Sequence, residues 1–533
     1  MQRPLVAFLF VLAALPTPRA FACGGFFCSS SPINQARETV VYGYEPDGSL
    51  TMAVQISYSG RDEDFAWILP VPVPPDEIAV GPDALFQQLL QRTEPRFQTV
   101  NETEGECAPL SCSWPGPGCS LGCGAHASPA PDPGFAGDAG AAAFGDAGRG
   151  VTVYSESVVG PYDTVVLGAS SAPEVIEWLQ MNGYDVPDAS GELLAPYADQ
   201  GFVFVALRLN ANRNSSVIRP VVMRMATDEA CLPIRLTPIA SDPNLPIALF
   251  HLADRPARSI NYSAADVSLD LDLFIGRQTW DGAVRQRVEE LGGRAFATDY
   301  AGATPTLDLT LPDVADLAEE LDAARVVQEI QARGYPADAL LLELLARFIE
   351  PPPGQDAQTY LNCLARGRGC GEPTRFDPAG LAAALEDEIR APRAEAQALV
   401  SRHAYTTRLS TSMRPEDMTV DPVFALDDGL PDVPQVRTAR RVTECGEQEY
   451  FAATAPIRIE LPDGTVVRQR EGGTMSADET CRSMGADGAA SGVADAGGGG
   501  GGCSAFRVTP GTALSWLILA AAGAFLITRR RRR

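Results

Sequence analysis

The C-terminal end of this chain constrains its fold and setting more than any other feature. A glycine run, 497–502, leads to Cys503, then to a single apolar stretch, 513–527, and to five arginines, 529–533. Residues 513–528 fall a little short of the roughly 20 that a helical span needs, and Thr509 to Thr512 complete it at the interface. Arginines stay on the cytoplasmic side of such a span, which leaves the body of the chain outside. The other end agrees. Arg3, an apolar run over 5–15, Pro16 and Pro18, then Ala20-Phe21-Ala22 form the n-region, h-region and cleavage pattern of a secretory signal. Cleavage after Ala22 makes Cys23 the first mature residue, and because Ala20 and Phe21 fit a lipobox badly, ordinary cleavage is the expectation.

The order of the C-terminal parts (a Gly-rich spacer, Cys503-Ser504, a short span and an Arg cluster) resembles the MYXO-CTERM sorting signals. That resemblance implies processing at Cys503 and removal of the helix after export. The expected organisation is a signal peptide over 1–22, an exported body over 23–480, a Ser/Gly/Ala/Asp linker over 483–503 and a transmembrane or sorting tail over 504–533. Ala22, Cys23 and Cys503 are the processing residues of this scheme. The protein is then held at the outer surface or envelope membrane through its C-terminus.

Removing both ends takes eight arginines and no acid, so the formal charge moves from −26 to −34. Such a body repels nucleic acid and anionic lipid. The chain has no lysine, which excludes a P-loop lysine, a Schiff base and a Ser-x-x-Lys nucleophile.

Twelve cysteines in an exported chain read as disulfides. Short separations suggest Cys23/Cys28, Cys107/Cys112, Cys119/Cys123 and Cys363/Cys370, and Cys445/Cys481 could close a longer loop. With Cys503 reserved for processing, eleven remain, so at least one is left over, Cys231 being a candidate. Cys107, Cys112, Cys119, Cys123 and His126 could instead hold zinc, but the Cys-x2-Cys knuckle is missing and the setting is oxidising.

The body reads as α+β, mainly antiparallel sheet. Residues 37–58 form a hairpin around Pro46-Asp47-Gly48. Residues 65–73 begin as a strand whose prolines prevent regular pairing and leave it on a sheet edge or as an extended segment, and 82–92 is a short helix. Residues 101–150 form a Cys/Pro/Gly-rich surface insertion. Strands follow over 151–159 and 163–167, then a helix over 173–183 with Gly183 past its end. Four more strands are expected over 201–209, 218–225, 232–238 and 245–252, and the alternation Val203-Val205-Leu207-Leu209 suits a sheet with one buried face. The period turns helical near 314–403. Leu317, Leu321 and Ile330 share one helix, 339–349 is another, and Pro392 stops or kinks a third. Strand character returns over 405–413 and 457–468.

Several motifs, in order, resemble the bacterial domain of unknown function 2330 family. They are Cys23-Gly24-Gly25-Phe26-Phe27-Cys28 and Ala66-Trp67-Ile68-Leu69-Pro70-Val71-Pro72, then Gly160-Pro161-Tyr162-Asp163 with Trp178-Leu179 and Gly183-Tyr184. Thr407-Arg408-Leu409 and Met418-Thr419-Val420-Asp421-Pro422-Val423-Phe424 close the match, which spans roughly 23–435. The resemblance implies a secreted or surface setting and brings no activity, substrate or catalytic residue with it.

Catalytic signatures are scarce. Only His126, His251 and His403 exist, without His-Glu-x-x-His. Gly118-Cys119-Ser120-Leu121-Gly122 matches a nucleophile elbow only formally, since prolines and cysteines surround it. His251 reads as a strand histidine with its bonds satisfied, and His403 as the end of a helix. The Cys23 to Cys28 motif reads as a pinned terminus and Met418 to Phe424 as packing, with Asp421-Pro422 a turn. No catalytic, cofactor or metal residue is assigned. The expectation is a non-enzymatic, surface-anchored envelope protein acting in binding, adhesion or structure. Its partners are the envelope, the sorting machinery and an extracellular partner, with no nucleic acid. A secreted hydrolase using carboxylates and a metal-binding surface module are the alternatives.

Overall fold

The computed structural model describes residues 34–59, 66–110, 150–184, 186–187, 190–209, 218–239, 241–367, 369–473, 476–477 and 479–480. The chain divides into two units, one of residues 1–99, 125–439 and 461–463, the other of residues 100–124, 440–460 and 464–533. Their described parts confirm a mixed α+β chain built on antiparallel sheets.

The first unit is organised by an eight-stranded sheet. Its strand order is Ser263–Ala264, Ala295–Ala303, Tyr405–Met413, Leu245–Ala253, Asn34–Tyr44, Leu50–Ser59, Val221–Met225 and Pro75–Val80. Two of its pairings are parallel, Asn34–Tyr44 with Leu245–Ala253 and Ser263–Ala264 with Ala295–Ala303. The expected hairpin is there: Asp47 Oδ1 accepts from the Ser49 amide at 3.0 Å, and Gly48 turns the chain at φ 81°. A second, four-stranded antiparallel sheet runs Ala66–Val71, Val203–Leu209, Tyr162–Ala169, Val151–Val159. The proline-bearing strand Ala66–Val71 does lie at its edge, where a missing N–H breaks no ladder.

The main core fills the space between these sheets, with Val40, Tyr42, Met52, Leu249 and Leu409 on one side and Trp67, Leu69, Val203, Val205 and Leu207 on the other. The alternation in Val203–Leu209 does not mark an exposed face. Phe204 and Ala206, on its other side, are buried against Val175, Trp178 and Leu194 of the helices Ala172–Met181 and Ser190–Asp199. Both faces of this strand are covered, one by a sheet and one by helices. On the far face of the larger sheet, Val41, Phe250 and Leu252 meet Leu85, Phe86 and Leu89 of helix Asp83–Thr93 and Leu399 of helix Ala391–Arg402.

Two local expectations fail for identifiable reasons, and a third fails in one of its two alternatives. Residues 232–238 are not a strand. Pro233 and Pro238 lack N–H donors, and the amides of Ile234 and Arg235 are taken at 2.9 and 3.2 Å by Asp421 Oδ1, so Asp421 serves as more than a turn residue. Leu317, Leu321 and Ile330 do not share a helix. A short 3-10 turn, Ala315–Glu319, ends first, and Asp322 starts the helix Ala323–Ala332 by accepting from the amides of Ala324 and Arg325. Leu321, in the gap, is 82 % exposed. Pro392, expected to stop or kink its helix, does not stop it. A π turn, Glu386–Arg390, carries Pro378–Leu385 directly into Ala391–Arg402. Proline at 392 removes the bond to the Glu388 carbonyl, and Arg219 Nη2 donates to that oxygen at 2.6 Å. The helical segment itself is as expected, with Ala323–Ala332, Ala339–Phe348, Ala357–Arg366 and Pro378–Leu385 sharing one core through Ile330, Leu344, Tyr360 and Leu381.

The second unit holds most of a four-stranded sheet of Val466–Arg470, Ile457–Glu460, Val436–Phe451 and Arg96–Ala108, whose residues 96–99 and 436–439 belong to the first unit. Residues 101–108 therefore belong to a strand and not to the insertion, and the sixteen-residue strand Val436–Phe451 had no counterpart in the sequence reading. The reason is chemical: these strands are rich in Arg and Glu, which hide the period of two. In the sheet those charges pair, Arg440 with Glu102 and Glu460, and Arg458 with Glu104 and Glu444. Among the described residues no helix is long and apolar enough to cross a membrane, and the expected span, 513–527, and the signal-like end, 1–22, lie outside them.

Candidate functional site: an arginine-lined cavity

The helix Trp280–Glu290 packs on the Ala295–Ala303 end of the large sheet through Val284, Val288, Ala295 and Ala297. Thr279 caps its start, Oγ1 accepting from the Gly282 amide at 3.2 Å. Between the first turns of this helix and the neighbouring strands lies a cavity of about 230 Å³. Arg408, Ser410 and Ser412 of Tyr405–Met413 and Pro246 and Ala248 of Leu245–Ala253 form one wall, with Arg37 beside them. Thr279, Asp281 and Arg285 form the other.

Behind the wall sits a buried charge network. Strand Ala295–Ala303 carries a bulge at 298–300, so that Asp299 and Tyr300 both stand opposite Arg408. The extra residue turns the Asp299 carboxylate into the layer below the helix. It is 0 % exposed and accepts from Trp280 Nε1 at 2.7 Å and Ser410 Oγ at 2.6 Å. Arg408 Nε faces its Oδ2 at 2.9 Å without hydrogen-bond alignment. Arg437 Nη2 donates to the Asp299 main-chain carbonyl at 3.1 Å, and its guanidinium lies over the Trp280 ring at 4.4 Å. Burial pushes the Asp299 carboxyl up; Arg408, the Ser410 and Trp280 hydrogen bonds and Arg437 pull it back only in part. Arg408 Nη1 donates to the Leu90 carbonyl at 3.1 Å, which holds the guanidinium in one pose at the cavity wall.

None of the described residues singled out from the sequence as site residues lines this cavity. Ala22, Cys23, Cys28, Cys112, Cys119, Cys123, Cys481, Cys503 and His126 lie outside the described residues. Cys363 and Cys370 are joined, as their separation suggests. Cys107 pairs neither with Cys112 nor Cys445 with Cys481; Cys107 and Cys445 bond to each other. They are 338 residues apart, but Arg96–Ala108 and Val436–Phe451 are sheet neighbours and bring their Cα atoms to 4.7 Å. Cys231 is a free thiol, pushed up by burial and by Asp421. His251 is buried, stacked on Tyr42 at 5.2 Å, with Nδ1 3.1 Å from Tyr44 Oη and Nε2 without a partner among the described residues, so only one of its ring nitrogens is satisfied as expected. Burial lowers it to about 3. His403 caps its helix with Nδ1 2.8 Å from the Leu399 carbonyl and Nε2 3.0 Å from that of Tyr44. Among the described residues no group of three or more His, Cys, Asp or Glu side chains could hold a metal ion.

The network that sequence reasoning missed did leave a trace. Arg408 sits among Thr and Ser in a strand, and Thr279-Trp280-Asp281 is a helix start, but nothing local couples them to Asp299. The described architecture defines a disulfide-bonded α+β protein of layered, mainly antiparallel sheets. More particularly, the chain belongs to the family described as uncharacterized proteins conserved in bacteria (DUF2330), whose model matches residues 17–424. No curated protein matches the chain. No solved structure matches it either.

Proposed function

We propose that the protein is exported, displayed at the envelope surface through its C-terminal tail, and works by binding and not by catalysis. The observation that carries the binding half is the make-up of the cavity. Its walls offer arginines, serines and two threonines, groups that hold a ligand by charge and hydrogen bonds, and Asp281 is the one carboxylate in its lining. Asp299 is tied up behind the wall by Arg408, Ser410 and Trp280, and Glu38, raised to about 7 by burial, has Gln35 as its hydrogen-bond partner. A glycoside hydrolase working through carboxylates would need two convergent acids. Export is supported by the disulfides Cys107–Cys445 and Cys363–Cys370, which persist in oxidising compartments, and by the signal-like and sorting-like ends.

The test is intact, non-reduced mass spectrometry of the protein purified from envelopes, together with protease shaving of whole cells. A chain that begins at Cys23, ends at a modified Cys503 and is shaved from intact cells is the expected result. A full-length, reduced chain protected inside the cell would overturn the proposal; one that keeps Arg533 would replace the sorting tail with a plain membrane anchor.

A further inference from the structure

We infer that the cavity under the Trp280–Glu290 helix is a binding site for a small oxyanion, a carboxylate or phosphate group. The inference deepens the binding reading above and rests on it. Its first support is charge that runs against the rest of the molecule. The chain carries −26 overall, yet the cavity lining holds Arg37, Arg285 and Arg408 against Asp281 alone. Behind the wall Asp299 pairs with Arg408 at 2.9 Å and Arg437 donates to the Asp299 main-chain carbonyl, so with these two buried groups counted as well the arginines still outnumber the carboxylates.

The second support is that the cations are not spent. Arg37 reaches Asp281 only at 3.9 Å, and Arg285, exposed on the helix, makes no ion pair among the described residues. Arg408 is the opposite case: Asp299 and the Leu90 carbonyl hold it rigidly, so little freedom remains to be lost when a ligand arrives. Two forks without close ion pairs around one fixed fork is a geometry that lets arginine grip planar or tetrahedral oxygen groups by paired hydrogen bonds.

The third support is the remainder of the wall. The capped first turn of an eleven-residue helix brings its positive dipole end to the cavity beside Thr279. The Ser412 hydroxyl, on the opposite wall, has no protein partner among the described residues. At about 230 Å³ the space lies below the roughly 300–1,000 Å³ of drug-sized ligand sites, which selects a small anion over a polymer segment.

The test is calorimetric titration of the mature, disulfide-intact protein with inorganic phosphate and, separately, with succinate and citrate, each against a sodium chloride control of equal ionic strength. Saturable binding of at least one probe is expected, weakened at least tenfold by Arg285→Glu and by Arg37→Ala. Arg285 is exposed and Arg37 half-buried, so an unchanged melting temperature should accompany the loss in Arg285→Glu at the least. Phosphate alone binding would assign a phosphate-bearing ligand, and the di- or tricarboxylates alone a carboxylate. Absence of saturable binding by all three, or binding untouched by both substitutions, would overturn the inference. Shaving and mass analysis report independently, so a surface-displayed protein that binds none of the probes would sink this inference and leave its display standing.

Discussion

Replacing Glu38 with glutamine should make the protein more stable at neutral pH and hardly change it in acid. Glu38 lies 5 % exposed in strand Asn34–Tyr44, with Gln35 Nε2 donating to its Oε2 at 3.0 Å. Burial moves its carboxyl from 4.5 to about 7. At 1.36 kcal/mol per pH unit, that is roughly 3.4 kcal/mol of preference for the neutral form in the folded state. The folded value lies above the unfolded one. The stabilisation is therefore fully present below about 4.5, declines as pH rises and is gone above about 7. Glutamine has the same shape, stays neutral, and its amide oxygen can keep the bond from Gln35. The stability difference between Glu38→Gln and the parent should thus be near zero at pH 4.5 and grow to about 3 kcal/mol by pH 8. With roughly 2.1 cal/mol/K of unfolding entropy per residue over about 400 residues, this corresponds to a gain of about 4 °C in Tm. Parallel melting curves from pH 4.5 to 8.5 read it directly. A difference that stays constant across that range, or a parent that is the more stable at pH 8, would refute the reasoning.

Two further outcomes follow from the same geometry. Breaking Cys107–Cys445 by a paired change to serine should destabilise the sheet it staples by about 3–5 kcal/mol, because the bond closes a very long loop; limited proteolysis over 436–470 should then accelerate at least tenfold, and unchanged cleavage would count against that role. Arg408→Met leaves the Asp299 charge buried without its counter-ion and should cost about 3–5 kcal/mol at pH 8, with the deficit shrinking towards pH 5 as Asp299 takes up a proton; denaturation midpoints at both values check the sign, and an equal deficit at both would contradict it.

The elements legible in the sequence are those whose cause is local. The turn at Pro46-Asp47-Gly48 carries its own acceptor in Asp47 and its own permissive residue in Gly48. Helix Ala172–Met181 announces its stop at Gly183, which sits at φ 81°. Strand Ala66–Val71 was placed at an edge because proline admits few other places in a sheet. Where charge hid the period, as in Val436–Phe451, the same reasoning found nothing, since alternating Arg and Glu gain their meaning only from the strand opposite.

By itself, then, the chain determined its α+β class, its helical segment near 314–403, its hairpins and the short Cys363–Cys370 link, all matters of neighbouring residues and their allowed φ and ψ. Tertiary structure alone decided the rest. The bond between Cys107 and Cys445 needs two strands 338 residues apart to become neighbours. The cavity needs Arg37, Arg285 and Arg408 brought together from a strand, a helix and another strand, and the bulge that aims Asp299 behind them exists only in the pairing with Tyr405–Met413. Burial, too, is a property of layers: the same Val203–Leu209 pattern that suggested one wet face is covered on both, because a second sheet and two helices happen to meet there. Local sterics act within a few residues of chain, whereas pairing, burial and charge complementarity act across space, and only the folded chain brings their partners within reach.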